Sequence, residues 1–308
     1  MASFFRLSGQ YTVASGALSS TLIAIKMGNI SSHSLGSTVF RQCSCRRSSS
    51  SSSNGNGFSP LDGRVAVVTG GAGAIGKAIA QALILDGATV VMAGRRLGAL
   101  ETAAKDIIGK AGKEREAFVH CLALDVTSEE QVVTFFETVV ADHGKCDILI
   151  NNAGIAMGGT VTDISAEVFS TVMGVNVLGP FLCSREAFRH MQTHGSGGRI
   201  INVASISSMS PRPMSVPYTT SKYAVQGLSR SFALDGRPHN IAVSSIHPGN
   251  VISDLLSPEE IKRRQNSEGF IAPEDVANSV LHMVKLPLSA NILDMTVMPT
   301  KQPLIGRG

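Results

Sequence analysis

The 308 residues are 43% hydrophobic, with a mean hydropathy of +0.17 and a formal net charge of +4. A chain of this size and composition can bury a full core, which excludes a wholly disordered protein and points to one large α/β domain behind a leader. The basic excess sits in the leader, where Arg6, Lys26, Arg41, Arg46 and Arg47 precede the first acid, Asp62, so a nucleic-acid-binding surface is not expected.

Residues 1–58 are rich in serine and end in the serine run 48–53 followed by Asn54-Gly55-Asn56-Gly57. Such a segment buries too little apolar surface to offset its ordering entropy, and disorder is expected. Basic without acidic residues, abundant serine and the short apolar patches at 4–5 and 22–25 are similar to an organelle transit peptide. Lys26 and Asn29 interrupt the apolar run that a secretory signal needs. Arg41-Gln42-Cys43-Ser44 is similar to a mitochondrial processing site, while the serine load suits a plastid. An organelle matrix is therefore expected, the mitochondrion ahead of the plastid, and a cytoplasmic enzyme with a dispensable tail is the alternative. No membrane span is expected. The cysteines, Cys43, Cys45, Cys121, Cys146 and Cys183, are odd in number and lack paired spacing, which argues against a disulfide framework or a zinc site.

From residue 64 onward apolar runs alternate with amphipathic stretches. Residues 65–69, 89–93, 117–124, 148–151, 199–203, 241–247 and 292–297 are expected as strands. Most are apolar on both faces, as in a parallel sheet covered by helices on either side. Residues 75–86, 97–111, 129–143, 166–192 and 216–235 have helical periodicity, and Pro273-Glu274-Asp275 opens a further helix. The class is α/β, a doubly wound parallel sheet of Rossmann-like type, in a single domain over residues 59–308.

Thr69-Gly70-Gly71-Ala72-Gly73-Ala74-Ile75-Gly76 joins the first strand to the first helix. Gly70, Gly73 and Gly76 permit a sharp turn and close backbone approach to a pyrophosphate. Ala74 and Ile75 lie where this turn enters the helix, whose positive N-terminal end faces the phosphates. A glycine-rich turn without a ligand is the alternative. At the end of the second strand the chain reads Met92-Ala93-Gly94-Arg95-Arg96, without the acid that would bind a ribose 2′-hydroxyl. Arg95 suits a bidentate grip on a 2′-phosphate and Arg96 is a second candidate, so NADP(H) is favoured over NAD(H); two arginines solvating a loop is the alternative. Asp125, with Val126 beside it, either accepts a hydrogen bond from an adenine amino group or caps the next helix.

Tyr218 and Lys222 lie four residues apart, one turn along the same helical face, and so can reach a single bound molecule. A free phenol, with a pKa of about 10, is a poor base near neutrality, and an ammonium one turn away supplies the field that favours phenolate. Ser205 can orient a substrate oxygen, although Ser207, Ser208 and Ser210 beside it make ordinary loop chemistry an alternative. Asn176 either serves the site or satisfies buried backbone. His190 and His194 have helical spacing without a third ligand, and His247 ends a strand. All three are expected to be surface or packing histidines, and no metal site is expected.

The glycine turn, Asn151-Asn152-Ala153-Gly154, Asn176 in Val175-Asn176-Val177, Ser205 after Ile200-Ile201-Asn202-Val203-Ala204, Tyr218 with Lys222, and Pro248-Gly249 jointly resemble the short-chain dehydrogenase/reductase family. The resemblance is to its shorter, single-domain branch and runs from about residue 61 to the C-terminus. The glycine spacing departs from that branch, which places a glycine where Ala74 stands; Gly73 fits the longer branch. The resemblance implies hydride transfer between NADP(H) and a carbonyl or alcohol carbon. Tyr218 would be the general acid/base, Ser205 would orient the substrate oxygen, and Lys222 would also hold the nicotinamide ribose. Asn176 would sit at a distortion in the long central helix and hold a proton-relaying water. Asn152, Ala153, Gly154, Pro248, Gly249 and Val251 would lie beside the cofactor.

The resemblance further implies that the segment carrying Lys262-Arg263-Arg264 covers the substrate; the charge run itself is expected to be a solvated helix face, with attraction of a carboxylate substrate as the alternative. Helices 166–192 and 216–235 would pair between subunits in a homodimer or homotetramer. The tail over 293–300 is similar to members acting on 3-hydroxy acids, serine-like substrates and assorted carbonyls, so a small carbonyl or short hydroxy acid is the expected partner. A 3-oxoacyl carrier-protein reductase in an organelle is one alternative and requires a basic patch for its acidic carrier. A nucleotide-sensing or scaffold protein that keeps the fold without catalysis is another.

Overall fold

The computed structural model describes residues 59–253 and 258–304. The leader over 1–58 lies outside these residues. Contacts divide the chain after Asn54, and every described residue belongs to the unit Gly55–Gly308.

Seven parallel strands form one sheet in the order β3-β2-β1-β4-β5-β6-β7. They are β1 Val65–Thr69, β2 Thr89–Gly94, β3 Val119–Ala123, β4 Ile148–Asn151, β5 Gly198–Val203, β6 Ile241–Pro248 and β7 Asp294–Val297. The helices are α1 Ala74–Leu85, α2 Leu97–Ala111, α3 Glu129–His143, α4 Ala166–Met173, α5 Gly179–His194, α6 Val216–Gly236, α7 Pro258–Ser267 and α8 Pro273–Lys285.

The side-chain alternation of a strand splits β1 between two cores. Ala66 and Val68 face α1 and α8 with Ile79, Leu83, Val280 and Met283, whereas Val65 and Val67 face α3 and α5 with Phe136, Leu182 and Met191. Both layers are needed because central strands are buried on each side, which is why their sequences read as continuous apolar runs. Leu83 is fully buried, and truncation to alanine would cost about 2–5 kcal/mol.

Two local expectations are corrected. Residues 117 and 118 belong to a 3-10 turn, Lys113–Phe118, so β3 starts at Val119. Ser128, not Asp125, caps α3, its hydroxyl accepting from the Gln131 N–H at 3.4 Å. The run Ala166–His194 contains an 18-residue window of hydropathy 1.4, long and apolar enough to cross a membrane by length and composition alone. Within this fold α5 packs Leu182, Ala187 and Met191 against the sheet, as the core helix of an α/β layer does.

Candidate active site

After β1 the chain steps outward to β2 and β3 and then returns to place β4 beside β1. At that switch the loops leaving the carboxyl ends of neighbouring strands diverge and leave a crevice. A cleft of about 910 Å³ opens there.

Its floor is a fastened pair of loops. The Thr69 hydroxyl accepts the N–H groups of Asn152 and Ala153, both at 3.1 Å, while the Asn152 amide donates to the carbonyls of Thr69 and Gly70, both at 3.1 Å. The glycine turn is thus tied to the Asn-Asn-Ala-Gly segment after β4. Gly70 has φ +64, a conformation that excludes most side chains, and a Cβ on Gly76 would stand 2.3 Å from the Gly70 carbonyl oxygen. A Cβ on Gly73 would meet nothing nearer than 3.6 Å. Sterics therefore demand glycine at 70 and 76, while Gly73 keeps open the space above the start of α1. Ala74 is the first residue of α1, and its methyl group is accommodated there. The open space at the positive end of α1 is one into which a dinucleotide's phosphates would fit.

Arg95 and Arg96 line the rim of the cleft beyond Gly94, and among the described residues neither joins an ion pair. The Asp125 carboxylate accepts from the Thr127 N–H at 3.0 Å and hydroxyl at 2.7 Å. Those bonds, with help from the Arg95 charge, hold its pKa below the ordinary carboxylate value despite partial burial. Val126, Gly154, Pro248, Gly249 and Val251 line the same cleft.

The facing wall comes from β5 and α6. Ser205 follows β5 in an extended conformation, and its hydroxyl oxygen accepts the Ser207 N–H at 3.1 Å, leaving its proton available to a ligand. Lys222 is 7% exposed; its ammonium donates to the Val203 carbonyl at 2.9 Å and lies 5.6 Å from the centroid of the Tyr218 ring. Ser205, Tyr218 and Lys222 all line the cleft.

Asn176 differs from the other expected site residues. It occupies a π-helical turn, Gly174–Leu178, between α4 and α5, so the distortion implied by the resemblance is present. Its side chain is buried behind the wall: Oδ1 accepts the Ile155 N–H at 2.9 Å, and Nδ2 donates to the Ile155 carbonyl at 2.9 Å and the Ser221 hydroxyl at 3.0 Å. Ser221 in turn donates to the Tyr218 carbonyl at 2.7 Å. Asn176 therefore rivets the helix that carries Tyr218 to the loop after β4.

Sequence reasoning missed several contributors. Residues 155–159 meet residues 212–215, with the Gly159 N–H donating to the Met214 carbonyl at 3.0 Å, and a Cβ on Gly158 would stand 2.1 Å from that oxygen. Met157 and Met214 are exposed along this seam, and Met214 has φ +57. The paired glycines at 158 and 159 were the available signal. Of Lys262-Arg263-Arg264, the expected solvated face holds for Lys262 and Arg263, which are exposed, and is corrected for Arg264, which is buried; Arg263 and Arg264 line the cleft. Asn250, Glu268 and Gln302 join this lid to the C-terminal segment, Glu268 accepting from the Asn250 amide at 2.7 Å and the Gln302 amide at 2.9 Å.

Of the described cysteines, Cys146 and Cys183 are buried and Cys121 is partly so; all are free thiols. Among the described residues no cluster of metal-ligating side chains is present.

At the level of class, a doubly wound sheet with a phosphate cradle at its switch point defines a dinucleotide-binding α/β protein. Residues 64–264 match the family model described as short chain dehydrogenase. The human dehydrogenase/reductase SDR family member 11 is 32% identical over 250 residues, covering 78% of this chain and 95% of the human one. The 3-oxoacyl-[acyl-carrier-protein] reductase FabG of Aquifex aeolicus is 32% identical over 229 residues, covering 72% of this chain and 90% of its own. An alcohol dehydrogenase of the archaeon Thermococcus sibiricus, complexed with 5-hydroxy-NADP, superposes with TM-score 0.69 at 26% identity, covering 78% of this chain and 98% of its own. The chain belongs to the short-chain dehydrogenase/reductase family.

Proposed function

We propose that the protein transfers a hydride between NADP(H) and a small carbonyl or alcohol, including short hydroxy acids, with Tyr218 as the general acid/base. The observation that carries this reading is the presence of Ser205, Tyr218 and Lys222 in one cleft with the glycine cradle and the unpaired Arg95 and Arg96. Bound NADPH would supply the hydride. Gly70, Gly73 and Gly76 leave room for its phosphates, and Arg95, with Arg96, holds the 2′-phosphate. Ser205 donates to the substrate oxygen and orients it. Tyr218 delivers a proton to that oxygen during reduction and takes it back during oxidation. Lys222, held by the Val203 carbonyl, places a positive charge beside the ring from which the proton leaves. Asn176 keeps α6 in register through Ser221.

NADP preference has two supports, the missing acid after β2 and the 5-hydroxy-NADP bound by the Thermococcus alcohol dehydrogenase. A second reading, reduction of a 3-oxoacyl group on a carrier protein, is favoured by Arg212 and Arg263 at the cleft lining. Steady-state assays with panels of carbonyls, hydroxy acids and carrier-linked acyl substrates, each with NADPH and NADH, test both. Turnover with no substrate under either cofactor would leave only the nucleotide-sensing alternative.

We also propose a homodimer or homotetramer built on α5 and α6. Its support is the exposed apolar side chains Leu178, Phe181, Tyr223 and Leu234 on or beside these helices. Light scattering on Phe181→Glu with Leu234→Glu checks it, monomers being the expected product. For residues 1–58 the proposed role is organelle targeting, mitochondrial ahead of plastid, tested by the location of a fluorescent fusion with and without them.

A further inference from the structure

His247 of β6 has none of its surface exposed, yet both ring nitrogens have polar partners. Nδ1 lies 2.6 Å from the Ser208 hydroxyl and 3.3 Å from the Ser205 carbonyl oxygen, and Nε2 lies 3.2 Å from Asp294 Oδ1. The Ser208 hydroxyl is also 2.5 Å from the Ser205 carbonyl, which the Ser208 N–H approaches at 2.9 Å. The carbonyl of Ser205 is therefore gripped by the turn at 206–208, and that grip is one side chain away from a buried imidazole.

These contacts ask for more protons than a neutral ring supplies. Burial raises the Asp294 carboxyl, but bonds from Ser245, His247 and Arg230, together with the Arg230 charge, outweigh it and hold the group below the ordinary carboxylate value. Asp294 is thus an acceptor, and Nε2 of His247 must carry a hydrogen. The Ser208 hydroxyl has a single proton and two neighbours that can take it, Nδ1 and the Ser205 carbonyl. If Nδ1 is bare, Ser208 donates to the ring and its hydroxyl leaves the carbonyl. If Nδ1 carries a hydrogen, that hydrogen goes to Ser208 Oγ, and the serine proton goes to Ser205. Only the imidazolium satisfies all three short contacts at once.

We propose that His247 is a positioning residue for Ser205 and works as a proton-dependent clamp. Uptake of one proton from solvent at Nδ1 turns the Ser208 hydroxyl onto the Ser205 carbonyl and fixes the turn that presents the Ser205 hydroxyl. Loss of that proton returns the Ser208 hydrogen to the ring and leaves the Ser205 carbonyl with the Ser208 N–H at 2.9 Å, without the hydroxyl. No electrons move. The charged groups against this imidazole are Asp294 from β7 and, beyond it, Arg230 from α6 at 3.3 Å from Asp294. The Asp294 side chain is 29% exposed and connects the cluster to solvent. The inference rests on the reading of Ser205 as the group that orients the substrate oxygen.

Two measurements test it on the full chain. Nitrogen-15 NMR of histidine-labelled protein with NADP⁺ bound, from pH about 5 to 9, follows the ring directly, and His247→Asn identifies its signal. The expected result is a ring protonated on both nitrogens at low pH that passes to the Nε2–H tautomer as pH rises, with a midpoint shifted by Ser208→Ala. In carbonyl reduction at saturating NADPH, kcat should fall at high pH with a two-proton dependence, because Tyr218 and His247 must both be protonated. His247→Asn and Ser208→Ala should show a one-proton dependence, about tenfold lower kcat at low pH and an unchanged KM for NADPH. A ring that keeps one charge state across the range, or a variant that retains the two-proton limb, overturns the proposal. Absence of wild-type turnover would instead defeat the catalytic reading, while the ring titration would still decide the clamp.

Discussion

The Lys222 ammonium sits 5.6 Å from the centroid of the Tyr218 ring and donates to the Val203 carbonyl at 2.9 Å, so a buried cation is anchored to β5 while facing the proposed proton donor. Its carbonyl partner is neutral, which leaves the positive charge to act on the ring and on whatever binds beside it. Replacing Tyr218 by Phe removes the transferable proton but little volume. Turnover should fall by about 10²–10⁴-fold, with NADPH affinity by fluorescence titration within about twofold of wild type. Unchanged carbonyl reduction would remove Tyr218 from the reaction.

Arg95 carries the cofactor preference. Arg95→Gln should lower kcat/KM for NADPH by about 10–100-fold and leave NADH within about threefold, since only the former has a phosphate to lose. Parallel initial-rate measurements with both cofactors decide this. Equal losses for the two would assign Arg95 to Asp125, whose carboxylate its charge helps to keep ionised.

The glycines separate stability from binding. Gly76→Ala forces a Cβ to within 2.3 Å of the Gly70 carbonyl and should destabilise the fold by about 1–3 kcal/mol in urea denaturation. Gly73→Ala meets nothing nearer than 3.6 Å, so the same denaturation should leave it close to wild type. Its loss should appear in NADPH affinity, where the added methyl group occupies space needed by the phosphates. A Gly73→Ala protein that binds NADPH normally would move the phosphates elsewhere in the cleft.

Burial pushes the Cys146 and Cys183 thiols up to about 12, with Asp147 adding to the effect at Cys146 and Glu186 at Cys183. At pH about 8 both should resist iodoacetamide in the native protein and react on unfolding, as mass spectrometry would show. The folded thiols stay protonated above the ordinary value of 9.0, where unfolded thiols ionise, so their contribution is intact below that value and declines as pH rises towards about 12. A stability curve that rises between those limits would contradict it.

Much of this protein was legible in advance because its constraints are local. Val65 to Thr69 reads as a buried strand from its own composition, and Tyr218 with Lys222 reads as a pair from helical spacing. Gly70 and Gly76 announce a close approach that no other residue permits. The blurred edges were local competitions, such as the 3-10 turn that takes residues 117 and 118 from β3, and Ser128 taking the cap position from Asp125.

The amino-acid sequence by itself determined the sheet's layers, the cradle and the residues that meet at its mouth, since each follows from periodicity, glycine geometry or a short motif. Tertiary structure alone decided which distant polar groups share one proton or one lid. His247 meets Ser208 because β5 lies parallel on one side of β6, and meets Asp294 because β7 lies parallel on the other, with Ser245 opposite Asp294. Asn250, Glu268 and Gln302 meet only because α7 folds over the cleft. Single polar residues separated by tens of positions leave no periodic trace, and their partners are chosen by strand order and helix placement.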